Sequence, residues 1–183
     1  SDVYKRQGYG LQRHEIMYND FVIVGPPADP AGVRGMSDAG KALGRIAGAS
    51  AIFVSRGDDS GTHKKEKAIW QQADIRPEGD WYRQVGQGMG KTLQIAGELN
   101  GYTLVDRGTW LAYRAKSPLQ LVVSGGGELR NPYGIIAVNP ERFPDVNHAA
   151  VQRLIDWFKS DGAHDLISGY TVDGEQLFYP VTQ

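Results

Sequence analysis

One short segment constrains the fold of this chain more than any other: residues 51–70, AIFVSRGDDSGTHKKEKAIW. Its first four residues form a short apolar run, which predicts a buried strand. A polar turn over 55–59 follows, and Ser60 then opens a run of good helix formers that extends to about Ala73. The segment therefore predicts a strand, a polar loop and a helix N-terminus in direct succession.

A helix N-terminus in this position is suited to bind an anion. The first backbone N–H groups of a helix have no partner inside it, and the helix dipole is positive there. The guanidinium of Arg56 and the hydroxyls of Ser60 and Thr62 add donors that match a tetrahedral oxyanion. Ligands in open α/β sheets bind beyond the carboxyl ends of the strands, where this loop falls. The sequence thus predicts an oxyanion site, although each residue alone also fits an N-cap or a surface charge.

Two acidic residues in the loop, Asp58 and Asp59, bear on which oxyanion binds. Sulfate, molybdate and tungstate are fully ionised, so a nearby carboxylate repels them unless it pairs with Arg56 or caps a backbone N–H. Monohydrogen phosphate, in contrast, has a proton that it can donate to a carboxylate. The orientation of Asp58, which the sequence leaves open, therefore separates these anions.

The remaining pattern alternates strands with helices, which predicts an α/β fold with a largely parallel sheet. Pro-rich transitions near Pro26-Pro27 and Asn131-Pro132 bracket a segment long enough for one compact lobe. Residues 8–13 are polar and predicted as a loop. The predicted strands are 17–24, 51–54, 102–105, 119–123 and 133–138, and the predicted helices are 39–47, 60–73, 89–99, 110–114 and 148–158. Three lysines of the helix that follows the loop are predicted to be solvated: Lys64, Lys65 and Lys67.

Composition excludes several functional classes. A formal net charge of −1 creates no global field for nucleic acid, and the aromatic residues form no stacking platform. The chain has no cysteine, which excludes thiolate catalysis and Cys-ligated metals. The four histidines lack metal-ligand spacing, and no Ser-His-Asp arrangement is visible. We therefore expect no enzyme, no metal and no cofactor.

Two other turns are alternatives to the loop as functional sites. Residues 86–92, GQGMGKT, end in Gly-Lys-Thr before a helix, but a phosphate-binding P-loop requires a glycine where Val85 stands. Nucleotide hydrolysis through Lys91 is therefore a weak alternative. Residues 106–109, DRGT, form a second strand-to-helix turn, for which a surface turn with a capped helix is favoured over a contribution of Arg107 to the same cleft.

The segment 55–66, SRGDDSGTHKKE, together with 17–26, MYNDFVIVGP, resembles the tungstate-binding proteins of ABC transporters. Residues 104–109, LVDRGT, and 131–140, NPYGIIAVNP, extend the resemblance to essentially everything after residue 7. The Arg-x-Asp-x-Ser-Gly-Thr core is also similar to phosphate-binding relatives, so the core alone does not identify the anion.

The resemblance implies a type II periplasmic-binding-protein fold, an α/β architecture of two lobes that close on the ligand by hinge bending. Residues 8–26 and 132–183 would form the first lobe and 27–131 the second, with hinges near Gly25–Pro27 and Ser124–Asn131. The oxyanion ligands implied for the second lobe are Arg56, Ser60, Thr62, Gly61 and Ser55, supported by Asp58, Asp59 and Arg107.

The same resemblance implies that part of the first lobe is missing. The family begins with a strand and a Thr/Ser-rich loop that supplies the other half of the anion shell. Here a leader unlike the family, residues 1–7, precedes residue 8. We expect a half site, an incompletely covered first-lobe core and self-association through exposed apolar surface.

The leading expectation is a solute receptor that captures tungstate or molybdate and delivers it to the membrane permease of an ABC transporter. Such a receptor would be periplasmic or extracellular, and membrane-anchored in its full-length form. A receptor for phosphate or another oxyanion is the first alternative. An oxyanion-sensing receptor domain of a regulator is the second.

Overall fold

The computed structural model describes residues 7–181, which divide into two compact units. Asp20–Arg130 form the contiguous unit, and the described residues on either side, 7–19 and 131–181, form the split unit. The strands are β1 (Gly10–Gly25), β2 (Phe53–Ser55), β3 (Tyr82–Gln84), β4 (Thr103–Asp106), β5 (Gln120–Val123), β6 (Arg130–Val138), β7 (Thr171–Val172), β8 (Glu175–Gln176) and β9 (Tyr179–Pro180). The helices are α1 (Ala39–Gly48), α2 (Gly61–Gln72), α3 (Met89–Glu98), α4 (Arg107–Tyr113), α5 (His148–Trp157) and α6 (Asp161–Gly169), with short 3-10 turns at Arg114–Lys116 and Gly127–Leu129.

The contiguous unit is built around the second half of β1. This half pairs antiparallel with β4, with Phe21 opposite Asp106, and antiparallel with β5, with Ile23 opposite Val123. Strands β2 and β3 are parallel, and a parallel bridge between Phe53 and Tyr102 joins them to the start of β4. Counting this bridge, the strand order is β3-β2-β4-β1-β5.

The prediction of a largely parallel sheet is wrong at the centre, where β1 runs opposite to both neighbours. The chain reverses in the Pro- and Gly-rich segment 26–36, through turns closed by hydrogen bonds from Asp29 N–H to Pro26 O (3.0 Å) and from Gly32 N–H to Asp29 O (2.9 Å). At Met36 the chain already runs parallel to β5. Helix α1 therefore starts from a reversed chain, so β2 runs opposite to β1.

The apolar run of β1 is buried on both faces of the sheet, as its continuous hydrophobicity predicts. Alternate residues enter two clusters. Phe21 and Ile23 pack with residues of α1 and α2, whereas Val22 and Val24 pack with residues of α3 and α4. The shared strand fixes the two layers of helices to one sheet.

Aspartates cap two helices of the contiguous unit, and one of these helices begins earlier than predicted. The residue pattern favours Ser37 as the N-cap of α1, but the carboxylate of Asp38 accepts the N–H of Lys41 instead. The carboxylate of Asp106 accepts the N–H of Thr109, and α4 begins at Arg107, three residues before the predicted start at Trp110. In both places an aspartate takes the N-cap position, where its carboxylate also interacts favourably with the helix dipole.

The split unit contains the first half of β1, paired with β6 and with β9. The prediction of a loop over 8–13 is wrong from Gly10 onward, because pairing with β6 extends the strand through a polar sequence. The residue pattern favours Asn147 as the N-cap of α5, and its side chain accepts the N–H of Ala150. Apolar residues at 151, 154, 155 and 158 predict a buried stripe on this helix. The stripe is only partly buried, since Ile155 is 1% exposed but Leu154 is 47% exposed.

The division between the units falls inside β1, between Asn19 and Asp20, and again between Arg130 and Asn131. The sequence-based boundary at 26/27 was set by the prolines that end the strand. The strand itself passes through the division, so the units separate earlier in the chain than the prolines. Within 7–181, no helix has both the length and the apolar character needed to span a membrane.

Candidate functional site

The loop between β2 and α2 has the conformation that the sequence predicts for it. β2 ends at Ser55 and α2 begins at Gly61, with Ser60 as N-cap and its hydroxyl accepting the N–H of His63 at 3.3 Å. Gly57 has φ of 61°, and a Cβ there would approach the Cβ of Gln84 to 2.9 Å. Glycine at this position lets the loop pass close to β3.

The acidic residue Asp58 turns into the loop. Its Oδ2 accepts from Nε of Arg56 at 3.1 Å and from Nη2 of the same guanidinium, and its Oδ1 accepts the backbone N–H of Ser60 at 3.2 Å. Hydrogen bonding from Ser60 and then the Arg56 guanidinium lower the pKa of Asp58 to about 2. The carboxylate is thus ionised, and both of its oxygens accept hydrogen bonds within the loop.

The second acidic residue, Asp59, is directed toward lysines of α2. Its carboxylate lies 2.8 Å from Nζ of Lys67 and 3.9 Å from Nζ of Lys64. The Lys67 hydrogen bond, followed by the charges of both lysines, lowers the pKa of Asp59. Its backbone N–H donates to Nδ1 of His63 at 2.9 Å, which closes the loop against the first turn of α2. Both carboxylates of the loop are therefore compensated by cations.

The donors of the site lie at the start of α2. The N–H groups of Gly61 and Thr62 belong to the first turn, which supplies no carbonyl partners for them inside the helix. Thr62 is 8% exposed. Arg56 lies beside this turn because Asp58 binds both the guanidinium and the Ser60 amide. The structure therefore brings Arg56, Ser60, Gly61 and Thr62 together at one helix N-terminus.

The hydroxyl of Ser55, another predicted ligand, points into the core. Ser55 is fully buried and donates to Oε2 of Glu66 at 2.7 Å. Oε1 of Glu66 accepts from Nε1 of Trp70 (3.1 Å) and from the hydroxyl of Tyr82 (2.7 Å). Burial raises the pKa of Glu66. This buried group of four side chains, the Glu66 cluster, ties the end of β2 to β3 and α2 beneath the loop.

Sequence reasoning missed Glu66 and misplaced Lys65. Glu66 follows three positions after His63 in a polar stretch, and nothing in the local pattern marks it as buried. Lys65 was predicted to be solvated with its neighbours, but its Nζ binds the backbone oxygens of Glu128 and Arg130. The ammonium of Lys65 meets these backbone oxygens because the chain returns to α2 some sixty residues later.

The second turn, before α4, makes a different contact. Nε and Nη2 of Arg107 each donate to a carboxylate oxygen of Asp20 at 2.6 Å. Asp20 is the first residue of the contiguous unit, and its partner strand β4 ends at Asp106. In this structure the bidentate pair gives Arg107 a structural contact at the start of that unit.

The Gly-Lys-Thr turn lacks the features of a nucleotide site. The hydroxyl of Thr92 is buried and donates to the carbonyls of Gly88 (3.0 Å) and Gln87 (3.3 Å). Lys91 is exposed and donates to Gln94. A P-loop would instead direct this hydroxyl to a metal ion and this ammonium to phosphates. In the part of the chain that the structure describes, no three His, Asp or Glu side chains are grouped to hold a metal ion.

Comparison with known proteins gives a consistent family. A family model described as PBP superfamily domain matches residues 1–162. A Haloferax volcanii protein, named as a candidate ABC transporter anion-binding protein, is 48% identical over 98% of this chain and 54% of its own length. The tungstate-binding protein TupA of Peptoclostridium acidaminophilum is 42% identical over 94% of this chain and 62% of its own length.

A solved structure agrees over the whole chain. The tungstate-binding protein TupA from Desulfovibrio alaskensis G20 superposes with a TM-score of 0.92 at 43% identity, over all of this chain and 75% of that one. The chain spans between about half and two thirds of the length of the two curated relatives above.

Proposed function

The chain belongs to the PBP superfamily, and from that premise we propose that it captures a tetrahedral oxyanion, tungstate or molybdate, for the membrane permease of an ABC transporter. The relatives named tungstate-binding protein support the identity of the anion. This role is carried out by a receptor rather than an enzyme, in the periplasm or outside the cell. The ligand groups are Arg56, Ser60, Gly61 and Thr62, with Asp58 and Asp59 supporting them.

The observation that carries the proposal is the orientation of Asp58. Its carboxylate accepts from Arg56 and from the Ser60 amide, so it holds the donors in place and is not turned outward as an acceptor. A loop that presents donors suits a fully ionised dianion such as tungstate. Monohydrogen phosphate needs an acceptor for its proton. In this loop the carboxylate of Asp58 accepts from Arg56 and Ser60, and that of Asp59 pairs with Lys67.

Ser55 contributes to the site through position rather than through its hydroxyl. That hydroxyl donates to Glu66, so it fixes the residue immediately before Arg56. Arg107 likewise supports the unit through Asp20. Both residues therefore stabilise the structure around the site and do not bind the anion themselves.

Isothermal titration of the protein with tungstate, molybdate, sulfate and phosphate at equal pH and ionic strength tests the proposal. We expect tungstate and molybdate to bind with sulfate weaker and phosphate weakest. A matched control is Arg45→Ala, which removes an exposed arginine of α1 that donates to the carbonyl of Gly32. Phosphate binding more tightly than tungstate would overturn the choice of anion, and no binding of any of the four would overturn the oxyanion site.

A further inference from the structure

Lys65 lies where the contiguous unit begins and ends. Its Nζ donates to the backbone oxygens of Glu128 (3.1 Å) and Arg130 (2.9 Å) and lies 5.8 Å from the centroid of the Phe21 ring. Phe21 is the second residue of the contiguous unit and Arg130 is the last. One ammonium group therefore contacts both places where the chain leaves this unit.

The position of Lys65 is costly for an ammonium group. Burial lowers the pKa of Lys65, and none of the ion pairs among residues 7–181 includes it. Its neighbours Lys64 and Lys67 are exposed and pair with Asp59 instead. Carbonyl oxygens and an aromatic face compensate partial desolvation only in part.

Helix α2 connects Lys65 to the oxyanion loop. The helix begins at Gly61, and Lys65 follows one turn later, about 6 Å along the axis. The next residue, Glu66, is fixed by three side-chain hydrogen bonds to the frame of the unit. An anion that immobilises the N-terminus of α2 therefore acts within about one helical turn of the residue that holds the carbonyls of Glu128 and Arg130.

The residues just beyond the contiguous unit are also joined to each other. Within the split unit, Nδ2 of Asn131 donates to Oδ1 of Asn19 at 2.8 Å. Asn19 and Asn131 directly precede and follow the contiguous unit. The chain passes between the units at the peptide links 19–20 and 130–131, which we call the chain crossings. Inside the contiguous unit, Lys65 contacts residues next to both crossings. Within the split unit, the side chains of Asn19 and Asn131 are hydrogen-bonded to each other.

We propose that Lys65 is a positioning residue that couples occupation of the oxyanion loop to the backbone at both chain crossings. This inference rests on the proposed function, since it assigns the anion at the α2 N-terminus as the signal. Lys65 does not touch the anion. It transmits the ordering of α2 to the two segments whose conformation a hinged receptor must change when it closes.

Hydrogen–deuterium exchange of the whole chain, with and without tungstate, tests the coupling. In the wild type we expect tungstate to slow exchange at residues 60–63 and also at 128–131. In Lys65→Met the slowing at 60–63 persists and that at 128–131 is lost, while affinity falls about fivefold or more. Lys64→Met, which removes the same charge from the same helix, keeps both effects. Lys65→Arg, which retains N–H donors for the two carbonyls, restores the slowing at 128–131.

The outcomes separate the coupling from the function. Slowing at 128–131 that survives in Lys65→Met overturns the coupling, whereas absence of slowing at 60–63 in the wild type overturns the function. If the wild type shows no slowing at 60–63, the contact of Lys65 with the chain crossings is tested in the samples without anion. There, Lys65→Met must exchange faster at 128–131 than Lys64→Met. Equal exchange rates in these two variants overturn the inference. If circular dichroism shows that Lys65→Met is unfolded, Lys65→Gln replaces it under the same criteria.

Discussion

Asp58 holds the guanidinium of Arg56 through two nitrogens, Nε and Nη2, at a single carboxylate oxygen. Its other oxygen accepts the Ser60 N–H at 3.2 Å. The guanidinium is thereby fixed relative to the first turn of α2, with its Nη1 edge outside this pair. Preorganisation of this kind reduces the entropy lost when an anion is bound.

Arg56→Ala should weaken tungstate binding about tenfold to a hundredfold, because one hydrogen bond to a charged group is worth about 1.5–3 kcal/mol. Isothermal titration measures the change. Arg107→Ala is the matched comparison, since it removes the arginine that binds Asp20. We expect that variant to be less stable but to bind with an affinity close to wild type. Equal losses in the two variants would mean that the second turn also contacts the anion.

The Asp58 contacts should make stability fall at acid pH in a defined window. The pKa of Asp58 is lowered from 3.8 to about 2 in the folded protein, so its contribution is fully present above the unfolded value of 3.8. It is lost as the pH falls through about 2. Urea unfolding of wild type and Asp58→Asn between pH 2 and 7 should show a constant difference above about pH 4 that shrinks below it. A difference independent of pH would contradict this assignment.

Glu66 should have the opposite pH dependence. Burial raises its pKa above 4.5, so the folded state favours the protonated carboxyl, and the contribution is fully present below 4.5. It declines as the pH rises through the raised pKa. The unfolding free energy of wild type should therefore fall relative to Glu66→Gln as the pH increases from 4 to 8. Glu98→Gln, an exposed control on α3, should run parallel to wild type. A parallel course for Glu66→Gln would show that Glu66 does not titrate in this range.

Gly25→Ala should destabilise the protein by about 1–3 kcal/mol through overpacking. A Cβ at Gly25 would overlap the ring of Tyr102, which is fully buried and hydrogen-bonded through its hydroxyl to Asp29 at 2.7 Å. Gly48→Ala is the control, because no atom lies within 4 Å of its added Cβ at the end of α1. That variant should gain up to about 1 kcal/mol. Urea denaturation of both variants checks the pair, and a neutral Gly25→Ala would show that Tyr102 can move.

The sequence allowed prediction of features that depend on near neighbours in the chain. The strand before Ser55, the N-cap at Ser60 and the burial of the Phe21–Val24 run follow from local patterns of apolar and capping residues. The oxyanion loop is of the same kind, because all its donors lie within seven residues. The strand–loop–helix conformation of this loop could therefore be predicted before the fold was known, and its anion chemistry stays a prediction.

Features that depend on distant segments were not predicted. Lys65 binds carbonyls more than sixty residues away, and the hydroxyl of Tyr82 reaches Glu66 from a strand that follows an irregular segment. The direction of β1 relative to its neighbours depends on turns in residues 26–36, whose composition signals a turn but not its sense. Side-chain direction is also absent from the pattern, which is why Ser55 was expected to point outward and Asp58 was left open.

The two ends of the contiguous unit meet at one side chain, since Phe21 and Arg130 both contact Lys65. A folded segment whose ends lie this close together can be inserted into a loop of another protein without stretching either chain. Every residue of the proposed oxyanion loop and of the Glu66 cluster lies inside this single stretch. The stretch therefore has the geometry of a segment that one recombination event can move into another host protein as a whole.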